Sequence, residues 1–315
     1  MRHFLIGGAL LLALGQAASA EDANISVVQQ VGADLWTSVV QSGAPNTSRI
    51  EQLGNDQRAS LQQFGCCGDD NASFIRQMGS GGDAQVDQSA VADSSNSSSI
   101  VQNGSENDAL VHQDGFDAGS NISTIVQDGS ANHASLSQFG FLGGNRSSID
   151  VAGSDNRTIV GQNAGRSGNG SDIDVSGDGN DVAVDQISHR LIRNASTARI
   201  SGDDNRLSVS QSGGFGDNLS SVVLSGNSNQ IDVTQLNPGV DFALNESAIE
   251  VNGDGNVVGV EQGLADRNVT AGSMDSEIDI TGNSNSVHVL QTGESDANSV
   301  INTSGNGNII SVTQQ

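Results

Sequence analysis

The chain has 315 residues with 35% hydrophobic and 3% aromatic content, 40 glycines, two prolines and no tyrosine or lysine. So few bulky side chains argue against the globular core of a conventional enzyme. A formal net charge of −25 at pH 7 argues against nucleic acid or anionic lipid as a partner, because a field of that sign repels both.

In chain order, the first element is an expected signal peptide over residues 1–20. "MRH" is a short positive start, "FLIGGALLLALG" an apolar run and "ASA" a small-residue cleavage site. Cleavage after Ala20 leaves a single repeat domain over residues 21–315, with 11 arginines against 37 acids and a net charge of −26. No later stretch reaches the roughly eighteen apolar residues of a membrane helix, so the mature chain is expected to be exported with no transmembrane segment.

From residue 24 onward the chain repeats. Counting from a serine at position i, the frame Ser-x5-Gly-x8-Gln begins at Ser26, Ser48, Ser73, Ser98, Ser123, Ser147, Ser171, Ser196, Ser220, Ser247, Ser276 and Ser299. Its glycines are Gly32, Gly54, Gly79, Gly104, Gly129, Gly153, Gly177, Gly202, Gly226, Gly253, Gly282 and Gly305. Its closing glutamines are Gln41, Gln63, Gln88, Gln113, Gln138, Gln162, Gln186, Gln211, Gln235, Gln262, Gln291 and Gln314. Position i+2 is apolar in every copy, from Val28 to Ile301, and i+13 is always Val or Leu. Nine copies also place asparagine three residues after the glycine, from Asn107 to Asn308.

Inward positions i, i+2, i+4 and i+11, i+13, i+15 have the period of two that a strand demands. Each copy therefore reads as strand, turn, strand, with Gly-x-x-Asn as the turn because Gly and Asn tolerate positive φ. Length varies only between a closing glutamine and the next serine, from six residues (42–47) to more than ten, which puts that connection on the surface. A two-stranded unit cannot bury its faces alone, so the copies are expected to stack. The expected fold is all-β: a parallel β-solenoid of about 12 rungs, roughly 55 Å long at about 4.8 Å per rung.

Stacking explains why glutamine occupies an inward position. Equivalent side-chain amides one strand spacing apart donate and accept along the column as a ladder. Out of register each becomes an unpaired buried polar group costing about 1–3 kcal/mol. The twelve closing glutamines are thus candidate ladder residues, and the twelve glycines candidate turn residues.

These residues resemble the curlin repeat, which places Gln, Gly, Asn, Ala and Gln at successive offsets of 2, 3, 2 and 4. Gln102, Gly104, Asn107, Ala109 and Gln113 carry the whole pattern, as do Gln127, Gly129, Asn132, Ala134 and Gln138. The resemblance implies a secreted subunit of curli, the extracellular amyloid fibres of bacterial biofilms, with the short Ala-x-hydrophobic-x-Gln strands closer to the minor, nucleating type. It also implies self-association into fibres, other curlin subunits as partners, an outer-membrane export channel and no cofactor. Three features depart from the family. The first-strand glutamine occurs only at Gln30, Gln52, Gln77, Gln102 and Gln127, and later copies carry Val151, Val175, Ile200, Leu224, Val251, Ile280 and Thr303. Family subunits carry a glycine-rich export segment before the first repeat, whereas Glu21, Asp22 and Ala23 alone precede Asn24. Twelve copies exceed the handful typical of the family.

Other motifs have plainer readings. Ten asparagines, Asn24, Asn46, Asn71, Asn96, Asn121, Asn145, Asn169, Asn194, Asn218 and Asn245, form Asn-x-Ser sequons. Their recurrence predicts turns leading into each strand rather than glycosylation. Cys66 and Cys67 form either a strained vicinal or inter-subunit disulfide or an incidental loop pair. "GSGGDAQ" at 79–85 and "GDGN" at 177–180 and 253–256 lack the nine-residue recurrence of calcium-binding repeats, and no metal site is expected. His112, His133, His189 and His288 fall in different copies, and "HRLIR" at 189–193 is a loop patch. No catalytic or cofactor-binding residue is expected.

Overall fold

The computed structural model describes residues 24–43, 45–66, 70–189, 193–214, 216–237, 244–263, 272–293 and 296–315. The expected signal peptide, residues 1–20, lies outside these residues. The chain begins with strand β1 (Ile25–Ala33), turns, and returns as β2 (Trp36–Gly43). The pattern repeats to β23 (Ala297–Ser304) and β24 (Ile309–Gln314), giving 24 strands among the described residues. The odd-numbered strands form one 12-stranded sheet and the even-numbered strands a second, each in sequence order. Every pairing is parallel and one repeat apart, so the fold is the parallel β-solenoid that the period predicts.

Register is kept throughout. In the first sheet Asn145, Ser147, Ile149 and Gly153 pair with Asn121, Ser123, Ile125 and Gly129. In the second sheet Ala134, Leu136 and Gln138 pair with Ala109, Val111 and Gln113. A slip of one residue would turn every apolar side chain outward, and the two buried faces oppose it. The core runs between the sheets as stacked columns, Ile50, Ile75, Ile100, Ile125 and Ile149 on one side and Leu61, Val86, Val111 and Leu136 on the other, all buried.

The core contains two kinds of rung. Gln30 Nε2 donates to Thr37 Oγ1 at 2.9 Å, so position i+4 faces position i+11 across the rung. Where i+4 is Gln52, Gln77, Gln102 or Gln127, the facing residue is Ala59, Ala84, Ala109 or Ala134. From Val151 onward it is larger: Thr158, Val182, Leu207, Ile231, Val258, Val287 and Ile310. A long amide opposite a methyl fills much the same space as two medium apolar side chains, which is what close packing requires.

The turn differs from its expected form. Positive φ falls at the glycine and at the residue two positions after it, as at Gly129 (127°) and Ala131 (55°), or Gly153 (129°) and Asp155 (57°), and not at the asparagine. Glycine is required for a further reason. A Cβ on Gly129 would lie 1.9 Å from the carbonyl oxygen of Gly153 in the next rung. The column therefore fixes both the turn and the closeness of the stack.

Candidate functional site: polar ladders and end rungs

The structure brings the twelve closing glutamines into one column, buried from Gln63 to Gln291 and half-buried at Gln41 and Gln314. Each Nε2 donates to the Oε1 of the next rung, from Gln41 to Gln63 at 2.7 Å, through Gln113 to Gln138 at 2.7 Å, to Gln291 and Gln314 at 2.8 Å. A second bond ties the two sheets within a rung, as Gln113 Nε2 donates to the Ser97 carbonyl at 3.1 Å. Donor and acceptor are both satisfied, which is what a buried amide needs. A second glutamine column runs Gln30, Gln52, Gln77, Gln102 and Gln127, with spacings of 2.6–2.9 Å. It ends there, and Gln127 Nε2 donates to the carbonyls of Asp108 and Asn132.

Two asparagine ladders accompany them. The sequon asparagines are not turn residues: Asn46, Asn121 and Asn194 are fully buried. Each Nδ2 donates to the Oδ1 of the preceding rung, as Asn46 does to Asn24 at 2.9 Å and Asn121 to Asn96 at 2.9 Å. A strand edge leaves room for an inward amide where a turn would have turned it outward, so the nine positions from Asn46 to Asn245 are closed to a glycan, whereas Asn24 at the first rung is exposed. The asparagines of the Gly-x-x-Asn frame do the same from Asn132 to Asn107 (3.1 Å) through Asn308 to Asn285 (2.8 Å). Many also reach forward to a glycine carbonyl, as Asn132 Nδ2 does to Gly153 at 2.8 Å. The only advance signal for either ladder is its constant spacing.

The ladders have opposite directions. Glutamine amides donate toward the C-terminal rung, whereas asparagine amides donate toward the N-terminal rung. The stack is therefore polar, and its two end faces present different groups. The end rungs are also the open ones. Val28, Val39, Ile310 and Val312 are only partly buried, while their inner counterparts Ile149, Val160, Val287 and Val289 are at most 1% exposed. Ile309 is 85% exposed. Strands β1 and β2 at one end, and β23 and β24 at the other, have a neighbour on one side only among the described residues.

The outer faces carry the charge. Asp150 pairs with Asp174, and Glu250 with Asp279, one strand spacing apart. Burial, with Asp174 and Asp128 beside it, raises the Asp150 pKa above the ordinary aspartate value. Burial and Asp108 raise that of Asp83, against the opposing pull of Arg58. His112 lies between Asp87 (3.6 Å) and Asp114 (3.1 Å), and His133 beside Asp108 (2.9 Å). Among the described residues the first rung carries one acidic side chain, Asp34, and the last rung one, Asp296. Cys66 is disulfide-bonded, which excludes an incidental pair of free thiols; Cys67 and residues 190–192 lie outside the described residues.

The family model described as the curlin associated repeat matches residues 32–65. That segment runs from the first turn glycine to the end of the second rung, and its geometry recurs in the rungs that follow. No curated protein matches the sequence.

Proposed function

We propose that the chain, whose residues 32–65 match the curlin associated repeat, serves as a secreted structural subunit of extracellular curli-like fibres. In this reading residues 1–20 are the removed signal peptide and residues 21–315 the mature domain. The fibres lie at the bacterial cell surface, where they hold a biofilm matrix together and adhere to surfaces. Partners are further copies of the chain, other curlin subunits and an outer-membrane export channel, with no catalytic residue and no cofactor.

One observation carries the reading. Twelve rungs stack in parallel and the closing-glutamine column runs unbroken from Gln41 to Gln314, so an end rung is a template for another rung. Open strand edges recruit strands through their unpaired backbone groups. Here the side-chain amides add a demand for register. The alternative is a monomeric surface adhesin that displays its connections without polymerising, which the size of the buried core favours because twelve rungs need no neighbour to fold. Electron microscopy of purified residues 21–315 separates the two: unbranched fibres support the subunit, and particles of one solenoid's dimensions at all concentrations support the adhesin.

A further inference from the structure

We infer that the N-terminal face of the solenoid accepts, in preference to the last rung of a second copy, a rung with glutamine at both ladder positions and asparagine at the sequon position. The inference rests on end-to-end stacking as proposed above and names the partner that one end fits.

The argument begins with the atoms that the first rung leaves open. Gln30 and Gln41 donate toward the second rung, to Gln52 and Gln63, so their Oε1 atoms point the ladder away from it and have no ladder donor. Asn24 Oδ1 accepts from Asn46, which leaves Asn24 Nδ2 without a ladder acceptor. A rung stacked beneath must therefore supply two amide donors and one amide acceptor. The rungs holding Asn71, Gln77 and Gln88, and Asn96, Gln102 and Gln113, supply all three to their own neighbours.

The last rung does not. In the same register it sets Gln314 against Gln41, but Thr303 against Gln30 and Ala297 against Asn24. Its Ile310 stands where glutamine-bearing rungs have an alanine that makes room for the amide. One of the three demands is met by an amide. Leu35, in turn, has no side-chain donor for the Oδ1 of Asn308, which in the inner rungs would accept from an asparagine. The mismatch lies in the amide columns, and an unpaired buried amide is what stacking would create.

The test converts one face to match the other. Ala297→Asn, Thr303→Gln and Ile310→Ala in residues 21–315 give the last rung the full set, and elongation is measured on sonicated fibre ends of the same protein. Restoring a buried amide bond is expected to lower the critical concentration for self-elongation about tenfold or more. A second variant, Gln30→Val with Thr37→Val, makes the first rung resemble the dry C-terminal rungs and is expected to produce the same gain, with circular dichroism confirming that each variant keeps its strands. Fibres from either folded variant at concentrations where the unaltered chain forms none would support the inference. An unaltered chain that elongates as readily as both variants would overturn it. Failure of all three to form fibres at any concentration would overturn the stacking reading, and the inference with it.

Discussion

Gln127 and Val151 face each other across one strand spacing, and the first-strand amide ladder stops between them. From Gln52 to Gln127 the core sets glutamine against alanine; on the C-terminal side medium-sized side chains, aliphatic apart from Thr158 and Thr303, fill the same two columns. The change leaves no amide stranded, because Gln127 Nε2 turns to two backbone carbonyls at 3.1 Å.

The compensation across a rung is testable by a mutant cycle. Gln127→Val opens space above Ala134 and is expected to destabilise the fold by about 1–3 kcal/mol. Adding Ala134→Val refills that space and is expected to recover most of the loss, giving a favourable coupling of about 1 kcal/mol. Denaturant unfolding of the four proteins reads the coupling directly, and additive effects would contradict the facing geometry.

The closing column predicts a contrast between buried and exposed amides. Replacing Gln113 or Gln138 by Ala removes a link from both neighbours and is expected to cost about 2–3 kcal/mol and to slow assembly. The same change at the exposed Gln85 or Asn163 is expected to stay within about 0.5 kcal/mol. Thermal melts and assembly lag times check both, and equal effects for the two sets would remove the ladder from the account.

The repeat serine gives a less obvious result. In seven rungs, including those of Ser147, Ser171 and Ser196, its hydroxyl is buried with no hydrogen-bond partner. A small side chain is what the position needs, and the hydroxyl is a cost. Ser171→Ala is therefore expected to leave stability unchanged or raise it by about 1 kcal/mol, as a shift in melting temperature would show. A loss of more than that would mean that the hydroxyl is bonded.

Charge sets the pH response. The folded-state pKa of Asp150 is raised, so ionising it in the fold carries a penalty that is fully present above that raised value. The penalty fades as pH falls through it and is gone below the ordinary value near 3.8. Stability and assembly are expected to gain as pH falls through that raised value toward 3.8. Asp150→Asn is expected to reduce the dependence, and salt at pH 8 to mimic part of it by screening Asp150 from Asp174. A melting temperature and a lag time indifferent to both pH and salt would show that outward repulsion does not matter.

Much of this was legible in the sequence. The period of two on either side of a fixed glycine gave the strands, and the unvarying distance from Gly129 to Gln138 gave the turn between them. The closing ladder followed from an amide at an inward position. The sequon asparagines depart from the turn expectation because Asn favours turns in isolation, whereas the stacked neighbours Asn96 and Asn145 and the Asp114 carbonyl satisfy an inward Asn121. Positive φ was placed on Asn132 rather than Ala131 for the same reason. A residue type tolerates a conformation, but the ladder bond decides which residue is free to adopt it. The pairing of Gln127 with Ala134 was hidden because it depends on which columns face each other across the rung.

The ends of the stack are the point of growth in this account. Val312→Pro is expected to block addition at the C-terminal edge, by removing a backbone donor and fixing φ in a strand that must accept a neighbour. Deletion of residues 299–315 is expected to preserve assembly, since it exposes the equivalent edge of the rung that ends at Gln291. Unchanged elongation in the proline variant would exclude growth through β24.

The most direct measurement is X-ray fibre diffraction from aligned assemblies of residues 21–315. The account predicts a sharp meridional reflection at about 4.7–4.8 Å, from strands perpendicular to the fibre axis, with an equatorial reflection near 10 Å from the two facing sheets. Assemblies whose strand repeat lies off the fibre axis, or a chain that remains monomeric at every concentration, pH and salt tested, would contradict it.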